Sequence, residues 1–174
     1  MNCRDCFRNT GSALLGIAIL AIAPATVSAE EVRSRTMFDP GTSTARDLVV
    51  VLDPQDAPAP GSEISVYLPV RFAFDSDRLS DEARWNLAVI SEAMLAPELG
   101  DVVFTVEGHT DASGSAAYNE GLSLRRARSA TDYLVRLGVP RSRLAVRGLG
   151  ERALLPSADP LAAEQRRVEF VRRF

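Results

Sequence analysis

The sequence predicts an α+β fold, a two-layer sandwich with helices packed on one face of a mixed sheet. Apolar residues alternate through residues 64–74 and then recur at helical spacing in two later stretches, 83–94 and 122–137. Short β-branched runs separate and follow those stretches, giving the order β-α-β-α-β-β. Elements in this order fold as two layers around one core. A chain of 174 residues suits one such domain, with 46% hydrophobic residues to build its core.

The first strand shows its buried face directly. Ile64, Val66, Leu68, Val70, Phe72 and Phe74 share one parity, and Pro69 on the other parity marks an edge or a bulge. Ser80 then caps a helix whose first turn holds Asp81 and Glu82, where carboxylates favour the positive end of the helix dipole. Ala83, Leu87, Ile90 and Met94 form its apolar stripe, and Pro97 and Gly100 end it. Trp85 falls off the stripe, so it is read as a partly exposed packing residue. Residues 102–108 make a second strand. A second helix covers roughly 117–137, with Leu122, Ala127, Ala130, Leu134 and Leu137 on its inner face and Gly138 as its stop. Residues 144–149 and 166–171 complete the sheet, with a short helical turn near 161–164.

The ends of the chain carry other signals. Residues 1–29 have the pattern of a secretory signal peptide: Arg4 and Arg8, an apolar run at 13–23, and small residues at Val27-Ser28-Ala29, which puts cleavage after Ala29. The run is too short to cross a bilayer core of about 30 Å comfortably. The rival reading keeps it as an uncleaved anchor. Cleavage removes Cys3 and Cys6 and with them any thiol or disulfide. Residues 30–62 read as an extension with Pro40, Pro54, Pro58 and Pro60, open to an envelope partner. Within it, residues 47–52 read as a β-branched strand. The domain proper is expected over 63–174.

Several chemistries lack their parts. A net charge of −3 argues against nucleic acid as partner, since phosphate neutralisation needs a basic face. His109 is the one histidine, Asp111 lies two residues after it, and the pair is read as lacking a third ligand at metal-site spacing. No serine stands in a nucleophile-elbow context, and Gly148-Leu149-Gly150 lacks the rest of a phosphate-binding fingerprint. No catalytic residue, metal or cofactor is assigned, and the chain is read as a non-enzyme.

The stretch 108–127 is the richest in polar groups. Thr110 and Asp111 emerge at the carboxyl end of the second strand, and Asn119, Ser123 and Arg126 lie on one face of the following helix. Packing of that helix beside the strand brings Asp111 and Arg126 to one end of the sheet. Two readings stand. One is a structural ion pair between loop and helix, which contributes only about 0–1 kcal/mol when exposed. The other is a site for a zwitterion, with Asp111 receiving an ammonium and Arg126 clamping a carboxylate through its planar fork.

The segments "FAFDSDRL", "VEGHTDASGSAAYNEGLSLRRA", "YLVRLGVPRSRLAVRGLGE" and "RRVEF" occur in this order at ordinary spacings. Together they resemble the OmpA-like C-terminal domain over about residues 64–174. The resemblance implies a β/α/β/α/β fold with an added strand. It also implies non-covalent binding of peptidoglycan through the diaminopimelate of the stem peptide. Asp111 then matches the acid that takes the ammonium and Arg126 the arginine that takes the carboxylate. Thr110, Asn119, Leu122 and Ser123 match positions that line or shape the pocket, Phe74 and Asp75 its rim, and Arg167 a supporting position. The chain departs from the family pattern at Gln165, where asparagine is usual, at Leu161-Ala162, where Gly-Arg is usual, and in a short loop at 155–160.

The location implied is the periplasm of a Gram-negative bacterium, in association with the outer membrane. Murein is a repeating polymer, so a dimer or a tethered partner raises avidity. The alternative is a membrane-anchored motor- or secretion-type tether held by an uncleaved N-terminal helix.

Overall fold

The computed structural model describes residues 33–39, 41–52, 60–69, 72, 76–156 and 158–174. The expected signal peptide, and most of the proline-rich stretch after residue 52, lie outside the described residues. Five strands form one mixed sheet in the order β1-β2-β5-β3-β4. They are β1 (Arg33–Met37), β2 (Glu63–Pro69), β3 (Phe104–His109), β4 (Leu144–Gly150) and β5 (Arg167–Arg173). β1 runs parallel to β2, β5 runs antiparallel to both β2 and β3, and β3 runs parallel to β4. Three helices, α1 (Ala45–Leu52), α2 (Asp81–Leu95) and α3 (Ala116–Arg136), share one core with the sheet. The α+β architecture agrees with the sequence expectation.

The alternation that suggested β2 places Val66 and Leu68 in the core, joined by Phe104 and Val106 of β3 and Val168 and Phe170 of β5. Against them pack Leu87, Ile90 and Met94 of α2 and Ala127, Ala130 and Leu134 of α3. Ser80 caps α2 as expected, its hydroxyl accepting from the Ala83 N–H at 3.1 Å. Trp85 is 55% exposed, in keeping with its place off the stripe.

Several expectations need correction. Residues 47–52 are helical, not extended. Thr44 and Asp47 cap one another: the Thr44 N–H donates to Asp47 Oδ2 at 2.8 Å, and the Asp47 N–H donates to Thr44 Oγ1 at 3.3 Å. That reciprocal cap starts a helix that buries Leu48 and Leu52 at i, i+4, and tertiary packing overrides the β-preference of Val49–Val51. The segment 33–52 is also no loose extension. β1 pairs along its whole length with β2, and α1 packs on α2. Arg172 donates to the Leu52 carbonyl at the end of α1. The first expected strand is described as Glu63–Pro69, Phe72 forms an isolated bridge to Leu79, and the strand's remaining expected residues 70, 71, 73 and 74 lie outside the described residues. The turn expected near 161–164 is a 3-10 segment at Ala163–Gln165.

Two glycines set how closely α3 approaches the sheet. A Cβ at Gly108 would collide with the carbonyl oxygen of Ser123, and one at Gly148 would lie 2.7 Å from the Leu124 Cβ and 2.8 Å from the Glu120 carbonyl oxygen. Real Cβ atoms do not occupy such positions, so glycine at 108 and 148 lets the first half of α3 lie directly on β3 and β4. That contact fixes Asn119, Ser123 and Arg126 relative to the strand ends.

Candidate functional site

The site lies where β3 ends and α3 begins. After His109 the chain turns out of the sheet, and the Thr110 N–H donates to the Gly150 carbonyl at 3.0 Å. Asp111 then folds an Asx turn, its Oδ1 accepting the Ser113 N–H at 3.1 Å and also the Ser113 hydroxyl. Gly114 takes φ +91, and Ser115 caps α3 by accepting the Tyr118 N–H at 3.3 Å. Asn119 ties this loop to the helix, donating to the carbonyls of Ser113 at 2.8 Å and Asp111 at 3.4 Å and to Glu151 Oε2 at 2.6 Å.

A cavity of about 640 Å³ opens here. Thr110, Asp111, Asn119, Leu122 and Arg126 all line it, so five of the expected site residues meet in one place. Leu122 supplies an apolar floor at 6% exposure. Arg126 is buried, stacks on the Phe72 ring at 4.7 Å and donates from Nε to the Ser76 carbonyl at 3.2 Å. The Thr110 hydroxyl is buried and has no hydrogen-bond partner among the described residues. A smaller depression of about 220 Å³, between the 77–79 loop and α3, is lined by charges of both signs.

The electrostatics centre on Asp111. Burial pushes its carboxyl up, but the hydrogen bonds from Ser113 and the Arg166 guanidinium together outweigh that and hold it below its ordinary value. The Arg126 guanidinium is lowered, first by burial and then by the neighbouring charge of Arg166. Arginine stays cationic at neutral pH even so. Among the described residues no ion pair joins Asp111 to Arg126; Asp111 Oδ2 accepts from Arg166 Nη1 at 2.7 Å.

The remaining expected residues lie elsewhere. Ser123 is buried behind the cavity, where its hydroxyl accepts the Gly150 N–H and donates to the Glu120 carbonyl, both at 2.9 Å. It holds the strand end and the helix together and does not line the cavity. Phe74 and Asp75 lie outside the described residues. Arg167 is buried on the opposite face of the sheet, paired with Glu169 at 2.6 Å and donating to the Ala153 carbonyl at 2.9 Å. The arginine at the cavity is Arg166, one position earlier. Strand parity carries the signal for this: Val168 and Phe170 face the helices, so Arg166 shares their side and Arg167 does not.

Ser113, Tyr118 and Phe72, the last expected only on the buried face of the first strand, also line the cavity. Gln165, a departure from the family pattern, is wholly buried and knits the 155–160 loop by accepting the Leu155 N–H at 2.8 Å and donating to the carbonyls of Leu155, Ala158 and Asp159. That loop in turn accepts the Ala112 N–H at the Pro160 carbonyl, 2.9 Å away, and so supports the Asp111 turn.

His109 points away from the cavity. Ligand atoms of Glu107, His109 and Glu169 lie within 4.8 Å of one another, a set that sequence spacing missed because Glu169 is a cross-strand neighbour. Arginines already face these carboxylates: Arg167 and Arg35 at Glu169, Arg173 and Arg147 at Glu107. The cluster therefore reads as an ion-pair network, not a donor set turned toward a cation.

A five-stranded mixed sheet with helices on one face, and a half-apolar cavity bearing an aspartate and arginines at the strand ends, defines a small binding domain. The OmpA family profile matches residues 71–168, and the chain belongs to the OmpA family. Outer membrane protein A of Shigella flexneri is 40% identical over 105 residues, which are 56% of this chain and 30% of that protein. The outer-membrane lipoprotein YfiB of Pseudomonas aeruginosa is 35% identical over 113 residues, 64% of this chain and 66% of that one. The chain thus spans about a third of the length of outer membrane protein A.

Among solved structures, a MotB-like protein from Desulfovibrio vulgaris superposes with TM-score 0.55 at 26% identity, over 68% of this chain and 77% of the other. The peptidoglycan-associated lipoprotein of Burkholderia pseudomallei gives 0.52 at 25% identity, over 60% and 88%. No helix among the described residues is long and apolar enough to cross a membrane.

Proposed function

We propose that the protein binds peptidoglycan non-covalently, through the diaminopimelate of the stem peptide, in the periplasm of a Gram-negative bacterium. The observation that carries the reading is the cavity in which Asp111 and Arg126 sit together without neutralising one another. An ammonium and a carboxylate on one carbon centre match an acid and a guanidinium that line the same cavity. The buried Thr110 hydroxyl in the same cavity supports the reading, because a buried polar group without a partner costs free energy that a polar ligand recovers. The cavity volume falls within the range of ordinary ligand sites. The relative from Burkholderia pseudomallei is itself named a peptidoglycan-associated lipoprotein.

Asp111 takes the ammonium and Arg126 the carboxylate, while Thr110, Asn119 and Leu122 shape the pocket and Ser123 supports it from behind. Residues 1–29 act as the export signal. The test is co-sedimentation with purified murein sacculi. The parent protein pellets, and Asp111→Ala and Arg126→Ala remain in the supernatant; pelleting of both variants like the parent sinks the assignment. Mass analysis of the exported protein decides its attachment: an N-terminus at Glu30 excludes the uncleaved anchor.

A further inference from the structure

The geometry points to Arg166 as a second carboxylate receptor: on binding it leaves Asp111 for a ligand carboxylate other than the one held by Arg126. The inference rests on the reading above and gives that site a specificity.

Both oxygens of Asp111 are engaged. Oδ1 accepts from Ser113, and Oδ2 accepts from Arg166 Nη1 at 2.7 Å. An ammonium that takes the remaining lone pair of Oδ2 meets a guanidinium already bound there, and the two cations repel at contact distance, which favours release of the more loosely held one. The Asp111 side chain is 11% exposed and pinned by its turn, whereas the Arg166 side chain is 43% exposed and its backbone precedes the β5 ladder. Arg166 is the mobile partner of the two.

Arg126 does not share that freedom. It is buried, stacked on Phe72 and bound to the Ser76 carbonyl, so it stays in place to receive the first carboxylate. A ligand with one ammonium and one carboxylate thus pairs with Asp111 and Arg126, and it displaces Arg166 without giving it a counterion from the described lining of the cavity. A second carboxylate on the ligand restores that pairing through the planar fork of the guanidinium. The ligand class is an ammonium accompanied by two carboxylates. A stem peptide offers the second one from two sources, the α-carboxylate of D-glutamate or the carboxylate at the peptide's C-terminus.

Calorimetric titration of the exported chain with soluble diaminopimelate-containing stem tripeptides separates these sources. Three ligands are used: the free acid, the form amidated at D-glutamate and the form amidated at the C-terminus. One amidated form is expected to bind about tenfold more weakly than the free acid, the loss of one charge-assisted bond. Whichever amide weakens binding identifies the carboxylate read by Arg166. Arg166→Gln should bind the free acid and that amide equally. Equal affinity of the parent for all three ligands overturns the proposal, and this arm needs no variant to fold. So does an Arg166→Gln protein that keeps the parent's discrimination. Asp111→Ala separates the two levels: if it binds the free acid like the parent, the underlying site assignment fails, and if it loses binding while the parent ignores amidation, only the role of Arg166 fails.

Discussion

Arg166 Nη1 and Asp111 Oδ2 lie 2.7 Å apart, bridging 55 positions of sequence between the lead-in to β5 and the turn after β3. The pair closes the loop end of the cavity. Burial alone would raise the Asp111 carboxyl, and its bonds to Ser113 and Arg166 together hold it below its ordinary value.

Acid should therefore weaken the fold in a defined window. A carboxyl depressed on folding contributes stability that is present above its unfolded value and lost as pH falls through its folded value. Thermal melts of the parent and Asp111→Asn are expected to differ most near neutral pH and to converge below about pH 4. A gap that stays constant from neutral pH into strong acid contradicts the depressed carboxyl.

Gly108→Ala should loosen the contact between α3 and β3. The new methyl meets the backbone carbonyl of Ser123, which has no rotamer to change, so the helix itself must move. A loss of about 2 kcal/mol in urea unfolding is expected, within the range for overpacking a close contact. The shift also displaces Arg126, so sacculus binding should fall in the folded fraction.

Arg167→Met should destabilise the protein by about 3 kcal/mol, because Glu169 is left buried without its nearest cation. The double variant with Glu169→Met should recover most of that loss, since the buried carboxylate goes too. Sacculus binding by the folded protein should stay near the parent's. Loss of binding in a well-folded Arg167→Met would return this residue to the site.

Leu48→Ala tests whether the segment before β2 belongs to the domain. Leu48 is 4% exposed and shares the core with Val66, Ile90 and Phe170. Truncation in a packed core costs about 2–5 kcal/mol. A change of only a few tenths would mean that α1 contributes little to the cooperative unit.

The sequence announced the elements whose pattern is local. The alternation of Val66 and Leu68, the Ser80 cap and the stripe of α3 from Leu122 to Leu134 each depend on spacing within one element and appear as expected, while Leu137 is the half-buried residue that follows the helix. Misreadings arose where distant contacts decide. Val49–Val51 favour a strand until Leu48 and Leu52 find the core, and Arg35 joins the sheet by pairing with Ser65 across the proline-rich stretch. The cavity was legible to the same degree. Asp111, Asn119 and Arg126 follow from one strand-turn-helix unit. Strand parity separates Arg166 from Arg167, but only the fold shows that Val168 and Phe170 face the helices and so which of the two arginines shares the cavity's side.

The strand directions carry a mechanical consequence. β1, β2, β3 and β4 all run toward the pole that holds Asp111, and only β5 runs back from it. The described body is entered at Arg33, at the opposite pole. A pull between the chain before Arg33 and a polymer gripped at Asp111 runs lengthwise along the sheet. It loads the β1–β2 hydrogen bonds together in shear and does not peel them one at a time, the geometry in which a short ladder bears most force before it yields.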